Sequence, residues 1–351
     1  MELILTPNAV AALLAWYREN RRDLPWRQTR DPYRIWISEI MLQQTRVEAV
    51  KPYYERFLAV CPTVEALATL PADRLMKLWE GLGYYSRARN LQKAANQILS
   101  EHGGKLPASY EQLLTLCGIG EYTAGAIASI AFDLPVPAID GNVLRVLSRL
   151  YGSYMDIMLP ATKAHWRETL SAVIPHDAGD FTQSLIELGA TVCVPNGEAK
   201  CQHCPLSSVC VAARDHLCDE LPVRTAKRPR RIVPMTVLLL RDGDRTVLHQ
   251  RPNTGLLAGL YELPNVERHM DEAQTLSHVR ALGLEPVQIK PLEDAKHIFT
   301  HIEWHMKAYD VRISPDFDGF ESDTGLLLVT NEDLCAHYAI PSAFAAYKQY
   351  L

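Results

Sequence analysis

Residues 116–143 read LCGIGEYTAGAIASIAFDLPVPAIDGNV, in the order helix end, tight turn, helix, bend, aspartate, helix start. Just upstream, Ser109 and Gln112 stand at capping-box spacing, and Tyr110, Leu113 and Leu114 fall on one helical face. Gly118-Ile119-Gly120 is too short for anything but a hairpin between two helices, and its glycines permit positive φ and close backbone approach. Ala124, Ile127, Ala128 and Ala131 then recur at helical spacing. The opening amides of that second helix have no helical partners, which makes them a ready seat for a phosphate. Pro135 and Pro137 are expected to stop the helix, and Asp140-Gly141-Asn142 to open the next. Gly-Ile-Gly alone is equally an ordinary helix–helix turn. A hairpin, a Gly/Pro-rich bend and an aspartate at a helix start are together far more specific.

The 351 residues suffice for two or three domains, each with a core of its own. No apolar run approaches the ~20 residues that a membrane helix needs. The N-terminal MELILTPNAVAALLAWY has neither a basic start nor a small-residue cleavage site, so a soluble, intracellular protein is expected. The net charge of -5 argues at first against a nucleic-acid partner, but it is unevenly spread. Residues 1–231 hold 26 Lys and Arg against 24 Asp and Glu, whereas 232–351 hold 10 against 17. Basic residues gather at Arg21, Arg22, Arg27 and Arg30, and again at Arg224, Lys227, Arg228, Arg230 and Arg231. That asymmetry favours contact with DNA.

Along the chain, residues 6–20 read as an amphipathic helix, and Arg21–Pro32 as a basic turn region in which Trp26 is either a core anchor or a functional ring. Residues 35–45 read as helical. Glu39 is the odd member there, with Ile35, Trp36 and Leu42 three and four positions away. A carboxylate on that side resists ionising and can keep a proton for donation, or it can simply be bonded into a helix contact. Helices are expected at 46–60, 63–69 and 71–80. The loop Gly81–Arg89 offers two glycines, two tyrosines and two arginines to a duplex, or caps a core with solvated arginines, and leads into a helix ending near 102. Further helices follow Asp140 and cover about 161–173 and 180–192.

Four of the eight cysteines, Cys193, Cys201, Cys204 and Cys210, have the spacing C-x7-C-x2-C-x5-C. In a chain without secretory features that pattern points to a metal rather than disulfides, and the chemistry alone leaves zinc and an iron–sulfur cubane open. Residues 219–231, DELPVRTAKRPRR, have linker composition. The hydrophobic period then falls to two: 232–240 and 246–250 read as strands about the Asp242-Gly243 turn, with helices near 271–282 and 341–350 and strands around 286–313. This is an α+β domain.

SEIMLQQTRV (38–47), GLGYYSRARN (81–90), GIGEYTAGAI (118–127), IDGNV (139–143) and the cysteine loop together resemble the helix-hairpin-helix-GPD superfamily of DNA glycosylases, and within it the MutY-type adenine DNA glycosylase family. The hairpin departs from the usual Leu-Pro-Gly-Val-Gly at Cys117 and Ile119, and the first cysteine gap is seven residues where six is usual. The resemblance implies a multidomain protein: an all-α helix-hairpin-helix glycosylase core with an iron–sulfur loop over 1–218, a basic linker over 219–231 and an α+β Nudix-like domain over 232–351 that recognises 8-oxoguanine. Within the core it implies a six-helix barrel at about 29–138 and a cluster subdomain at about 1–28 and 139–218. The implied activity is excision of adenine mispaired with 8-oxoguanine, with A·G also accepted, in base excision repair. The implied cofactor is a [4Fe–4S] cluster on the four cysteines. The implied partner is double-stranded DNA containing A·8-oxoguanine, met by a monomer in the bacterial cytoplasm.

Residue by residue, the resemblance makes Glu39 the acid that protonates adenine and Asp140 the carboxylate that stabilises or attacks the sugar. Tyr122 and Asn142 orient them, and Arg27 and Gln183 line the adenine pocket. Gly118 and Gly120 grip a phosphate. Gln44, Thr45, Leu82 and Tyr84 contact or wedge beside 8-oxoguanine. Phe299, Thr300 and His301 match a Phe-Ser-His recognition loop, with threonine for serine. Tyr122 stands where endonuclease III-like enzymes carry a Schiff-base lysine, so a monofunctional enzyme is expected over a bifunctional lyase. In DEAQTLSHVRALG (271–283) only Asp271 and Glu272 are acidic, too few for a magnesium-dependent Nudix hydrolase. A non-catalytic DNA-binding protein is the remaining alternative, and the joint presence of Glu39 and Asp140 argues against it.

Overall fold

Thr6 starts the first helix by accepting the amide of Ala9, with Pro7 pre-set for the first helical turn. The computed structural model describes residues 4–226, 229–315 and 325–351. Lys227 and Arg228 of the basic linker lie outside the described residues, as do residues 1–3 of the N-terminal stretch. The helices are α1 (Pro7–Asn20), α2 (Pro32–Leu42), α3 (Val47–Val60), α4 (Val64–Thr69), α5 (Ala72–Leu78), α6 (Ser86–His102), α7 (Tyr110–Thr115), α8 (Glu121–Phe132), α9 (Gly141–Leu150), α10 (Pro160–Ser171), α11 (Ala178–Thr191) and the short α12 (Val211–Arg214). No helix is long and apolar enough to cross a membrane among the described residues.

The chain divides into two compact units, Met1–Thr69 with Arg89–Ala226, and Leu70–Ala88 with Lys227–Leu351. The segment carrying α5 and the glycine–tyrosine loop thus groups with the C-terminal unit. In the first unit α8 and α9 both pack on α11, and α2 packs on α8. One core joins Leu13 and Leu14 of α1, Val143 and Leu147 of α9, Trp166 of α10 and Leu185 and Leu188 of α11, with Cys193, Cys204 and Cys210 packed against it. Gly189 permits the approach of α11 to the start of α9, since a Cβ there would stand 2.6 Å from that of Asn142.

The second unit holds a mixed sheet of β1 (Arg231–Asp242), β2 (Arg245–Gln250), β3 (Tyr261–Glu262), β4 (Asn265–Val266), β5 (Pro286–Ile298), β6 (Ile302–Ile313) and β7 (Leu326–Thr330), with α13 (Glu272–Ala281) and α14 (Asn331–His337) beside it. The order is β3-β2-β1-β6-β5, with β4 paired to β1 and β7 to β2. Central β1 runs parallel to β6 and antiparallel to β2. Its alternation feeds two cores: Met235, Val237 and Leu239 meet Trp304, Met306 and Phe344, while Leu238 and Leu240 meet Met270, Val279 and Val311.

Several expectations change in detail. The helix bearing Glu39 ends at Leu42, not Thr45, because Gln43 leaves the helical region at ψ 112 and Gln44 follows in the left-handed region at φ 57. α8 ends at Phe132 on the left-handed Asp133, before either proline is reached. Leu114 is exposed while Leu113 is buried, so α7 buries a narrower face than its spacing implies. Residues Ser342–Tyr350 form a 3-10 helix instead of an α-helix, and β7 and α14 are additional to the expected elements.

Candidate active site

Asp31 caps α2 by accepting the amide of Tyr33, and the helix then carries Glu39 inward among Ile35, Trp36 and Ile40. Glu39 is 7% exposed. The Tyr122 hydroxyl, from the first turn of α8, donates to Glu39 Oε2 at 2.8 Å. Burial is the main cause that pushes the Glu39 carboxyl up to about 7. The Tyr122 hydrogen bond opposes that, the nearby Asp140 charge adds to it, and Arg27 opposes it.

Asp140 is the N-cap of α9. Its Oδ1 accepts the Val143 amide at 2.8 Å and its Oδ2 accepts Asn142 Nδ2 at 2.7 Å. Asn142 Oδ1 in turn accepts Arg145 Nη2 at 2.9 Å, and Arg145 also donates to the carbonyls of Gly189 and Cys193, each at 2.7 Å. Burial raises the Asp140 carboxyl too, but hydrogen bonds from Val143 and Asn142 and the Arg145 charge counter it. The two acids therefore differ in support. Glu39 has one donor and an apolar wall, whereas Asp140 has a helix start, an amide side chain and a guanidinium behind them.

Glu39 and Asp140 line one cavity of about 500 Å³, together with Arg27, Gln44, Thr45, Tyr122, Asn142 and Gln183. The left-handed turn at Gln44 is what brings Gln44 and Thr45 to that wall. Trp26 is both buried and part of the lining, its ring edge-on to Tyr54 at 5.5 Å.

One residue beside this cavity escaped the sequence reading. Glu187 of α11 is buried, accepting Arg22 Nη2 and Arg27 Nη2 on Oε2, both at 2.7 Å, and Arg22 Nε on Oε1 at 2.8 Å. Burial alone would raise its carboxyl; the hydrogen bonds from Arg22 and Arg27 hold it down at about 2. It fixes the guanidinium that Arg27 presents to the cavity. Helical spacing gave no signal for it: its neighbours three and four positions away are Gln183, Ser184, Ala190 and Thr191, mostly polar.

Gly118 takes φ +76 in the hairpin, with Asn90 Cβ where a side chain would go. Gly120, the N-cap of α8, supplies no side-chain cap, so the first amides stay open. A second concavity, about 290 Å³, runs over Gly120–Thr123, with Lys163 and Arg167 of α10 on its rim and Arg167 paired with Glu121.

In the C-terminal unit, Tyr84 is exposed with φ 48, and its hydroxyl lies 3.2 Å from Thr300 Oγ1. Thr300 and His301 are exposed in the turn between β5 and β6, and Phe299 is pinned edge-on to Trp304 at 4.9 Å. Arg87 stiffens the tyrosine loop by donating to the carbonyls of Leu82 and Gly83. Leu82 is only 6% exposed, so it packs inward rather than standing out as a wedge.

The four cysteines of the loop form no disulfide and lie close to one another: burial pushes the Cys204 thiol up to about 12, with Cys193, Cys210 and Cys201 close enough to add to the rise. Arg149 Nη1 reaches Cys193 Sγ at 3.3 Å, and Cys210 Sγ donates to the Arg149 carbonyl at 3.5 Å. Among the described residues no three His, Cys, Asp or Glu side chains are gathered as a site for a single metal ion.

A helical hairpin with a buried acid pair in one unit and a mixed sheet in the other define a class. Residues 37–174 match the profile of the HhH-GPD superfamily base excision DNA repair proteins, and residues 236–349 match that of the NUDIX domain. A thermostable thymine-DNA glycosylase has 29% identity and a TM-score of 0.53, covering 59% of this chain and 95% of its own. An endonuclease III–DNA complex, at 23% identity and TM-score 0.51 over 59% of this chain and 94% of its own, supports the fold alone. The adenine DNA glycosylase of Mus musculus is 36% identical over 86% of this chain and 70% of its own length. That of Buchnera aphidicola subsp. Baizongia pistaciae is 36% identical over 83% and 82%. The chain belongs to the adenine DNA glycosylase family, enzymes of base excision DNA repair.

Proposed function

We propose that the enzyme hydrolyses the N-glycosidic bond of adenine opposite 8-oxoguanine and leaves the strand intact. The observation that carries this reading is the shared cavity in which Glu39 and Asp140 meet with unequal support. A base inside a duplex is out of reach, so the adenosine is extruded into the cavity. Glu39, neutral up to about pH 7, donates its proton to the base at N7 and makes it a leaving group. Asp140, held by Val143 and Asn142, faces the cationic sugar as a carboxylate, either stabilising it or forming a transient adduct that water resolves. Tyr122 orients Glu39 and has no amine, so no Schiff base with the opened sugar forms there. Arg27 and Gln183 supply polar edges for adenine, and the open amides at Gly118–Gly120 hold a phosphate.

The Tyr84–Thr300 patch, with His301 and the ring of Phe299, is read as the surface that distinguishes 8-oxoguanine. The C-terminal domain reads rather than cuts: the Asp271 carboxylate is engaged as the cap of α13, which leaves no acidic helix face for magnesium. Cys193, Cys201, Cys204 and Cys210 would hold a [4Fe–4S] cluster, which would tie the loop to the core that α1, α9, α10 and α11 share. That common core also supports grouping residues 1–28 with 139–218 as one subdomain.

The test is base release from A·8-oxoguanine compared with A·T and A·G duplexes, with and without alkali. Release from A·8-oxoguanine, with strand breaks only after alkali, is expected. Efficient nicking without alkali, or equal release from A·T, contradicts the proposal.

A further inference from the structure

A fifth thiol stands at the cysteine corner. Cys218 follows the C-x7-C-x2-C-x5-C set by a further seven residues, and its Sγ lies 3.8 Å from Cys201 Sγ. Two sulfurs at that separation are in van der Waals contact, and the only other partner of the Cys218 thiol among the described residues is the Ala212 carbonyl, at 3.8 Å.

The surroundings make the contact specific. The other loop thiols are tied to the protein: Cys193 receives Arg149 Nη1, and Cys210 donates to the Arg149 carbonyl. Cys201 has another thiol as its neighbour. Nor is Cys218 on a loose tail. The Leu217 amide bonds the Ala212 carbonyl at 2.9 Å, and Arg149 Nε bonds the Leu221 carbonyl at 2.9 Å, so the segment after α12 is clamped on both sides of Cys218. The same guanidinium that holds Leu221 contacts Cys193, which makes Cys218 part of the same rigid corner. The seven-residue gap precedes Cys201, the ligand whose sulfur meets that of Cys218.

We propose that Cys218 is an alternate ligand for the iron corner assigned to Cys201. The proposal rests on the reading that the four cysteines hold a [4Fe–4S] cluster. In the exchange, the Fe–Sγ bond of Cys201 breaks as that of Cys218 forms, and the Cys218 proton passes to the released Cys201 thiolate. No electron is transferred and no outside reagent is needed. The consequence is a cluster that survives loss or alkylation of Cys201 but of none of the other three ligands.

Iron and acid-labile sulfide per chain, with visible absorption, are measured on anaerobically purified wild type, Cys218→Ala, Cys201→Ala, Cys201→Ala with Cys218→Ala, and Cys204→Ala. Wild type, Cys218→Ala and Cys201→Ala are expected to keep the cluster, while the double variant and Cys204→Ala, each missing a ligand outright, fall by at least the roughly tenfold that loss of even a supporting partner of a ligand costs. Alkylation of the holoprotein read by mass spectrometry is expected to label Cys218 in wild type and to spare it in Cys201→Ala. If Cys201→Ala gives no soluble protein, Cys201→Ser with and without Cys218→Ala makes the same comparison. Wild type without iron overturns the cluster reading, and the alternate ligand with it. Wild type with iron overturns the alternate ligand alone if the Cys201 variant loses its cluster as fully as Cys204→Ala, or if removing Cys218 from it changes nothing.

Discussion

The cavity around Glu39 and the patch around Tyr84 use tyrosine hydroxyls in opposite settings. In the cavity a tyrosine donates to a buried carboxyl, and burial makes charge expensive and proton position controllable. On the patch a tyrosine meets a threonine in the open, where a hydrogen bond competes with solvent and decides little by itself. Under the proposed function, the difference teaches where bond breaking and base discrimination would be placed: the chemistry where burial shifts a pKa, and the reading where a partner can reach neutral donors and acceptors.

The largest effect is expected inside the cavity. Glu39→Gln removes the transferable proton but keeps the shape, so single-turnover adenine release should fall by about a thousandfold. Duplex affinity, measured by fluorescence anisotropy, should stay near that of wild type. A variant that releases base at a tenth of the normal rate would move the acid elsewhere. Next comes the ion pair behind the cavity. Glu187→Gln leaves the charges of Arg22 and Arg27 without their buried counterion, at a cost of about 3–5 kcal/mol. Thermal denaturation should show a Tm lower by roughly 10 °C; an unchanged Tm would make Glu187 a bystander.

How much of this contrast was legible beforehand depended on whether the cause was local. Asp140 announced itself because helix capping is set by a few neighbouring residues, and the hairpin because only glycine suits its turn. Glu39 was legible from its apolar neighbours at helical spacing. Glu187 has Gln183, Ser184, Ala190 and Thr191 at that spacing and was missed, because its meaning lies in Arg22 and Arg27, 165 and 160 residues away in sequence. The break at Gln44 was hidden for another reason: a non-glycine residue is held left-handed by tertiary context, and no turn residue marks it. The grouping of Leu70–Ala88 with the C-terminal unit likewise depends on packing that no local pattern encodes.

Smaller effects sharpen the comparison further. Burial that raises Glu39 also carries a stability cost. Its folded pKa lies above the ordinary carboxyl value, so the stability it contributes is full below about pH 4.5 and is lost as the pH rises through about 7. Glu39→Gln should therefore gain in Tm over wild type between pH 5 and pH 8. A difference that stays constant across that range would mean the carboxyl ionises normally. On the patch, Thr300→Val removes one exposed hydroxyl and should lower the preference for A·8-oxoguanine over A·G by about fivefold, the size of a single net hydrogen bond. Release from A·G itself should be unaltered; a parallel loss on both duplexes would assign Thr300 to folding rather than reading.

The most direct measurement of the acid pair is the pH dependence of kcat/KM for adenine release, which follows the free enzyme. Wild type is predicted to lose activity as pH rises through about 7, where Glu39 gives up its proton. In Tyr122→Phe that alkaline limb should move to higher pH, because the lost hydroxyl had favoured the carboxylate. A profile that stays flat to pH 9, or a limb that moves down in Tyr122→Phe, would contradict a proton donor at Glu39.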